Sequence, residues 1–279
     1  MRVNFTYVLY GAGTLVEGLT EAELRAQNVG NVAPPPPLRD DIPWPFGELG
    51  PPVGGANPPG VDMQCVRDAV AEQFADTDAN PRGITVVYND ELIFEQYSDV
   101  VDKDSRLIGW SATKSVVNAL IGIVVGQGNI EVFERAPVPE WANDDRAQIT
   151  TDEMLSMTSG IPWGFDPLTT TPCLFDSDGD CAHFCTDPDS FPLRSPPGTV
   201  GEYNSGSSYL LSRMVNTQRA PAGLTNFEWP KRAFFDRIGA HSFYIEYQPN
   251  QHFLGGALGY ATVSSTRSSV CNICALTGL

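Results

Sequence analysis

The stretch Leu107-Ile-Gly-Trp110-Ser111-Ala-Thr-Lys114-Ser-Val-Val-Asn-Ala-Leu-Ile-Gly-Ile-Val-Val-Gly126 decides how the rest of this 279-residue chain is read. Val116, Leu120, Ile123 and Val124 recur at helical spacing, which predicts a helix starting near Ser111 with one buried face. Ser111 and Lys114 are three residues apart and therefore share a face, so the lysine amine can reach the serine hydroxyl. A serine hydroxyl needs a base before it can act as a nucleophile. Burial and the positive end of the helix dipole both disfavour the ammonium form of lysine, which lowers its pKa and makes proton abstraction feasible. Taken alone, the same four residues also suit a helix-capping serine followed by a surface lysine, and the surroundings have to decide.

Upstream, Val61, Cys65, Val66, Ala69, Val70 and Phe74 recur every three or four residues and predict an amphipathic helix over 61–74. Ile84-Thr-Val-Val-Tyr88 and Leu92-Ile-Phe-Glu-Gln-Tyr97, joined by Asn89-Asp-Glu91, predict a β-hairpin. Residues 1–60 read as an extended arm rich in Pro and Gly, marked by Pro34-Pro-Pro-Pro37, Pro43-Trp44-Pro45, Gly54-Gly55 and Pro58-Pro59. Downstream, Thr150-Thr-Asp-Glu153 is a capping box that opens a short helix through Met157, closed by Gly160. Further helices are expected over 208–215 and 229–238. The fold class is therefore α+β: an antiparallel sheet flanked by helices, with a mainly helical middle.

Three further blocks stand in order around the serine and lysine. They are Ile149-Thr-Thr-Asp-Glu-Met-Leu-Ser-Met-Thr-Ser-Gly160, Pro196-Pro-Gly-Thr-Val-Gly-Glu-Tyr203-Asn-Ser205-Gly-Ser-Ser-Tyr-Leu-Leu211, and Trp110 directly before the serine. Together with Pro43-Trp44-Pro45-Phe46-Gly47 and Phe235-Asp-Arg-Ile-Gly239 they make the chain, over about residues 43 to 262, resemble the serine β-lactamase and penicillin-binding-protein superfamily. The branch it resembles holds class C β-lactamases, D-alanyl-D-alanine carboxypeptidases, family VIII esterases and 6-aminohexanoate-dimer hydrolases. The resemblance implies a β-lactamase/transpeptidase-like fold with Ser111 as acylated nucleophile, Lys114 as its proton partner and Tyr203 as a second acid/base. Lys114 and Tyr203 would then titrate as a coupled pair. Ser205 stands where β-lactamases carry an asparagine that orients an amide, and the Tyr-x-Ser form fits the amide-hydrolase and esterase branch better.

Trp110, Trp163, Ser205 and Asp180 are the candidate substrate contacts, with Phe165, Tyr209 and Asp178 as further cleft residues. Core aromatics and solvated loop acids are the alternative readings of the aromatics and aspartates. The expected reaction is hydrolysis of a small amide or ester through an acyl-serine, with no cofactor and no metal. Two alternatives stay open: a D-alanyl-D-alanine carboxypeptidase or β-lactamase, and a non-catalytic binding or sensor module of the same fold.

The superfamily's third motif, Lys-Thr-Gly or His-x-Gly, has no counterpart after Tyr203. The chain continues past Gly259-Tyr-Ala-Thr262 with Val263-Ser-Ser-Thr-Arg-Ser-Ser-Val-Cys-Asn-Ile-Cys-Ala-Leu-Thr-Gly-Leu279, which reads as an out-of-frame tail. The expected organisation is an arm over 1–60, an incomplete catalytic domain over 61–262 lacking later sheet strands, and an atypical tail over 263–279. One oxyanion donor would be the backbone N–H of Ser111, its partner belonging to the missing strand, and loss of one donor costs about 10²–10³ in rate. The expectation is a poorly stable or inactive chain whose full-length parent is an enzyme.

Seventeen Lys and Arg against 34 Asp and Glu give a formal charge of -17, which leaves no basic stripe for nucleic acid and sets the chain against an anionic membrane surface. No apolar run approaches the roughly 20 residues of a membrane span. The N-terminus lacks a signal-peptide pattern, so the chain is cytoplasmic unless its true start lies upstream, in which case the periplasm or secretion is favoured. Six cysteines at 65, 173, 181, 185, 271 and 274 favour a disulfide in an oxidising compartment over zinc ligation or buried thiols. Oligomeric state has no signature in the sequence.

Overall fold

The computed structural model describes residues 4–8, 11–15, 41–42, 49–50, 57–89, 91–163, 181–189, 191–220, 223–240, 242–245, 247 and 259–262. In chain order the elements are β1 (Asn4–Val8), β2 (Gly11–Leu15), α1 (Met63–Ala75), β3 (Gly83–Tyr88), β4 (Glu91–Tyr97) and β5 (Arg106–Ile108). There follow α2 (Thr113–Gly126), α3 (Thr151–Leu155), α4 (Cys181–Phe184), α5 (Ser205–Gln218), α6 (Glu228–Pro230), β6 (Tyr244–Ile245) and β7 (Gly259–Thr262). The chain divides into two compact units.

One unit takes in Pro34–Leu107 together with Phe235–Phe243 and the C-terminal segment. Within it, α1 starts at Met63 because the Asp62 carboxylate accepts from the Gln64 and Cys65 N–H groups. Met63 and Val70 are its buried residues and Val66 and Phe74 are half-buried, whereas Cys65 and Ala69, grouped with them by spacing, face solvent. Ala69 lies about 100° and Cys65 about 145° around the helix from the centre of the Met63-Val66-Val70-Phe74 row. β3 and β4 form the expected antiparallel hairpin, pairing Gly83 with Tyr97 and Tyr88 with Glu91, with a register shift at Val86/Val87.

The other unit carries the helical middle of the chain. It also contains the β1–β2 hairpin, which pairs Asn4 with Leu15 and Val8 with Gly11 inside the stretch read from composition as an arm. Its core is α5, against which α2, α3 and α4 all pack. Val116, Val117, Leu120, Ile121 and Val124 of α2 and Leu210, Leu211, Met214 and Val215 of α5 are buried. Ile123 is only half-buried, so the inner stripe is wider than the four residues picked by periodicity. Each fully buried aliphatic side chain contributes about 1.5–3 kcal/mol, so this helix pair is a firm support for whatever its N-terminal turns present.

The other helix expectations shift at their ends. The capping box at Thr150 and Glu153 is present, but α3 stops at Leu155 and Met157 turns to a left-handed φ of 58°. The helix over 208–215 extends to 205–218 because Asn204 caps it three residues earlier. The segment 229–238 is only briefly α-helical, from Glu228 to Pro230, then widens into a π-turn over Lys231–Phe235. In the same unit β6 pairs with β7 through Tyr244↔Tyr260 and Ile245↔Gly259.

Candidate active site

Ser111 lies in a 3-10 turn, Trp110–Ala112, that leads directly into α2, and Lys114 is the second residue of that helix. The turn and the helix start bring Lys114 Nζ to 3.0 Å from Ser111 Oγ. The same amine donates to Ser205 Oγ at 3.1 Å, across 91 residues of sequence. It also lies 4.9 Å from the centre of the Tyr203 ring. Burial lowers the pKa of Lys114, partly offset by a hydrogen bond with Tyr203 and by that residue's charge when ionised. For Tyr203, burial opposes ionisation, but hydrogen bonds with Ser111 and Lys114 and the ammonium charge outweigh it and lower the phenol's pKa. Two groups that each favour the charged form of the other, ammonium and phenolate, behave as one titrating unit.

Tyr203 and Ser205 reach the amine from the entry to α5, a loop fastened at many points to the segment after α3. Glu202 N–H donates to Met157 O at 2.9 Å, Gly198 N–H to Thr158 O at 2.9 Å and Arg194 N–H to Gly160 O at 2.9 Å. Gly160 has a φ of 77°, and a Cβ there would collide with the Ser195 carbonyl oxygen. Asn204 between the two site residues is buried, 1% exposed: its Oδ1 accepts from Ser207 N–H at 2.9 Å and its Nδ2 donates to Ile161 O at 2.7 Å. The Ser159 and Ser207 hydroxyls meet at 3.2 Å beside it. Sequence reading passed over Asn204, although an Asn immediately before a helix is an N-cap signature.

Of the sequence candidates, Ser111, Lys114, Tyr203 and Ser205 come together. Ser205 is 4% exposed and turned toward the lysine amine. Tyr203, 54% exposed, opens to solvent, as does Trp110, 58% exposed with a left-handed φ of 43°. Trp163 packs into a wall, its ring centroid 5.8 Å from Phe191 and 5.9 Å from Tyr209, the indole edge against Gly206. Its backbone N–H donates to Glu202 Oε1 at 3.0 Å, which ties the wall to the Tyr203 loop. Asp180, Asp178 and Phe165 lie outside the described residues.

Cys65 faces solvent on α1 and Cys185 is buried, and the two are not joined by a disulfide. Cys173, Cys271 and Cys274 lie outside the described residues, as does the side chain of Cys181, and the expected cross-link falls among these positions. Among the described residues no three His, Cys, Asp or Glu side chains converge as a metal site, and no helix is long and apolar enough to cross a membrane.

A family model described as Beta-lactamase matches residues 66–266. A solved structure assigned as a 6-aminohexanoate-dimer hydrolase from Bacillus anthracis is similar with a TM-score of 0.57 at 18% identity, over 72% of this chain and 55% of that one. One assigned as a beta-lactamase from Bacteroides dorei DSM 17855 gives 0.60 at 21% identity, over 75% and 62%. The octameric penicillin-binding protein homologue from Pyrococcus abyssi gives 0.57 at 14% identity, over 75% and 56%. The chain thus spans between 55% and 62% of the length of these structures, and at such identities the likeness is one of fold. No curated protein matches the chain.

Proposed function

Because the chain belongs to the beta-lactamase family and has its α+β fold, we propose that it serves a serine hydrolase that cleaves small amides or esters through an acyl-enzyme on Ser111. The observation that carries the reading is the position of one half-buried amine, Lys114 Nζ, 3.0 Å from the Ser111 hydroxyl and hydrogen-bonded with Tyr203. That separation lies within direct proton-transfer reach.

In the acylation step, Ser111 Oγ bonds to the substrate carbonyl carbon while its proton passes to neutral Lys114 Nζ. The carbonyl π electrons move to oxygen, where the backbone N–H of Ser111 supplies a donor to the resulting oxyanion. When that intermediate collapses, the C–N or C–O bond breaks and the leaving group takes a proton from the Lys114–Tyr203 pair. Water then adds to the acyl carbon, giving its proton to the same pair, and the acid leaves as Ser111 regains its hydroxyl proton. A lysine with a depressed pKa keeps a neutral fraction at lower pH than an exposed lysine, which is what a general base requires.

Ser205 favours amides and esters over β-lactams within this scheme. It offers a single hydroxyl, already engaged by Lys114, where an orienting side-chain amide would present both a donor and an acceptor.

The test is intact-mass analysis of the chain after exposure to a fluorophosphonate and, separately, to a penicillin, with Ser111→Ala alongside. Fluorophosphonate adducts that require Ser111 are expected, with little or no penicillin adduct. A folded chain that takes up neither reagent at Ser111 would sink the proposal.

A further inference from the structure

We infer that Asn204 is a positioning residue of this site, an amide clamp that fixes Tyr203 and Ser205 on either side of Lys114 by tying the entry of α5 to the carbonyl of Ile161. The inference rests on the catalytic reading of Ser111 above.

Tyr203 and Ser205 both direct their side chains to the lysine amine, so the residue between them sends its own side chain the opposite way. There it does three things at once. Its Oδ1 accepts from Ser207 N–H at 2.9 Å and so caps α5. Its Nδ2 donates to Ile161 O at 2.7 Å, a bond buried at both ends. Its backbone N–H points at Met157 Sδ, 3.4 Å away. Capping alone asks only for a side-chain oxygen, and Ser, Asp and Asn serve about equally well in that role. The Ile161 carbonyl asks for a donor. Of the good capping residues, Asn is the one whose terminal group is an acceptor and an NH₂ donor together.

The clamp therefore joins three fixed points: the helix that carries Ser205, the segment over 157–161 and, through the backbone, Tyr203. Its neighbours hold the same two strands of chain but none of them sits between the two lysine contacts. The Ser159–Ser207 hydroxyl pair and the Glu202 N–H to Met157 O bond lie on either side of it. Without the Ile161 bond, the turn at 203–205 keeps its helix cap but loses the restraint on its tilt. A displacement of about 1 Å at a reacting group can cost a hundredfold in rate.

The experiment follows fluorophosphonate labelling of Ser111 in the full chain by stopped-time intact mass, which returns a rate constant and a labelled fraction separately. Asn204→Ser keeps the cap oxygen but cannot span to Ile161. Asn204→Asp also keeps the cap, and its charge suits a helix N-terminus, but it sets one acceptor against another. Both variants are expected to lower the rate constant about tenfold to a hundredfold, with the labelled fraction close to wild type. A residue that merely stabilised the fold would lower the labelled fraction and leave the rate constant of the labelling population alone. Wild-type rate constants in both variants, or variants that lose their circular-dichroism signal instead of rate, would overturn the assignment. Absence of Ser111 labelling in the folded wild-type chain is a separate outcome, and it removes the catalytic reading along with the clamp.

Discussion

Lys114 Nζ lies 3.0 Å from Ser111 Oγ and, at 3.1 Å, equally within reach of Ser205 Oγ, so one amine holds the two serines of the site together. An ammonium in that position would be stripped of part of its water, which is why burial depresses its pKa. Replacing Lys114 by Met is expected to slow acylation of Ser111 by about 10²–10⁴. The same substitution should raise thermal stability, in the range of about 0.5–2 kcal/mol typical of relieved active-site strain. The sign follows from linkage: a lysine whose folded pKa is lowered binds its proton less tightly in the folded than in the unfolded chain, so protonation opposes folding. The gain over wild type should be full below the depressed pKa and shrink as pH rises from there to the ordinary lysine value. Melting curves of both proteins across that range check it, and a pH-independent difference would count against the buried amine.

Tyr203 acts on the same amine in the opposite direction, raising the pKa that burial lowers. Tyr203→Phe removes the hydrogen bond and the phenolate charge together. The acid limb of the labelling-rate profile should then move to lower pH, while the plateau rate falls by about 10²–10⁴ for loss of an acid/base group. A limb that stays in place would mean that Tyr203 does not address Lys114.

Removing the third partner has a smaller expected effect. In Ser205→Ala the amine keeps Ser111 and Tyr203 but loses one charge-assisted hydrogen bond, a contribution of about 1.5–3 kcal/mol. About a tenfold fall in the labelling rate is expected if most of that acts on ground state and transition state alike. Labelling unaltered by Ser205→Ala would restrict Ser205 to a packing role.

How far the site could be read from sequence depends on the distance over which each contact is made. Ser111 and Lys114 are helical neighbours, so their meeting follows from spacing alone. Tyr203 and Ser205 came into the picture by family resemblance, because nothing in a local pattern brings residue 205 to residue 114. Asn204 was overlooked because its cap is a local signal while its second bond, to Ile161, is not. Trp163 illustrates the converse: an aromatic taken for a cleft residue is also a structural wall, wedged by Phe191, Tyr209 and Gly206. Helix ends were misplaced where a cap or a widened turn decides them, at Asn204 and over Lys231–Phe235, since hydrophobic periodicity carries no information about either.

Trp110 directly precedes Ser111 with a φ of 43° while leaving 58% of its surface exposed. A bulky residue in that region stores about 1–3 kcal/mol, and little burial is gained in return. Trp110→Gly is expected to stabilise the chain by about 1 kcal/mol against denaturant, because glycine adopts this conformation without the Cβ clash. The labelling rate with a bulky aromatic fluorophosphonate should fall more than that with a small one if the exposed indole meets substrate. Equal effects on both reagents would leave Trp110 as a backbone feature only.

Gly206 offers the sharpest test of the wall beside the site. A Cβ at this position would stand 2.7 Å from Trp163 Cε3 and 3.0 Å from Asn204 Oδ1. Alanine in a helix is worth about 1 kcal/mol more than glycine, so without the ring Gly206→Ala would be a stabilising change. With the ring in place, overpacking costs about 1–3 kcal/mol and is expected to win, lowering stability and disturbing Asn204 with it. In a Trp163→Leu background the edge that meets the new methyl is gone, and the same substitution should become neutral or favourable. The pair should therefore show a coupling energy of about 0.5–3 kcal/mol in a double-mutant cycle measured by urea denaturation. Additive effects would mean that Trp163 does not pack on α5, and that the tie between the wall and the Tyr203 loop through Glu202 is made by the backbone alone.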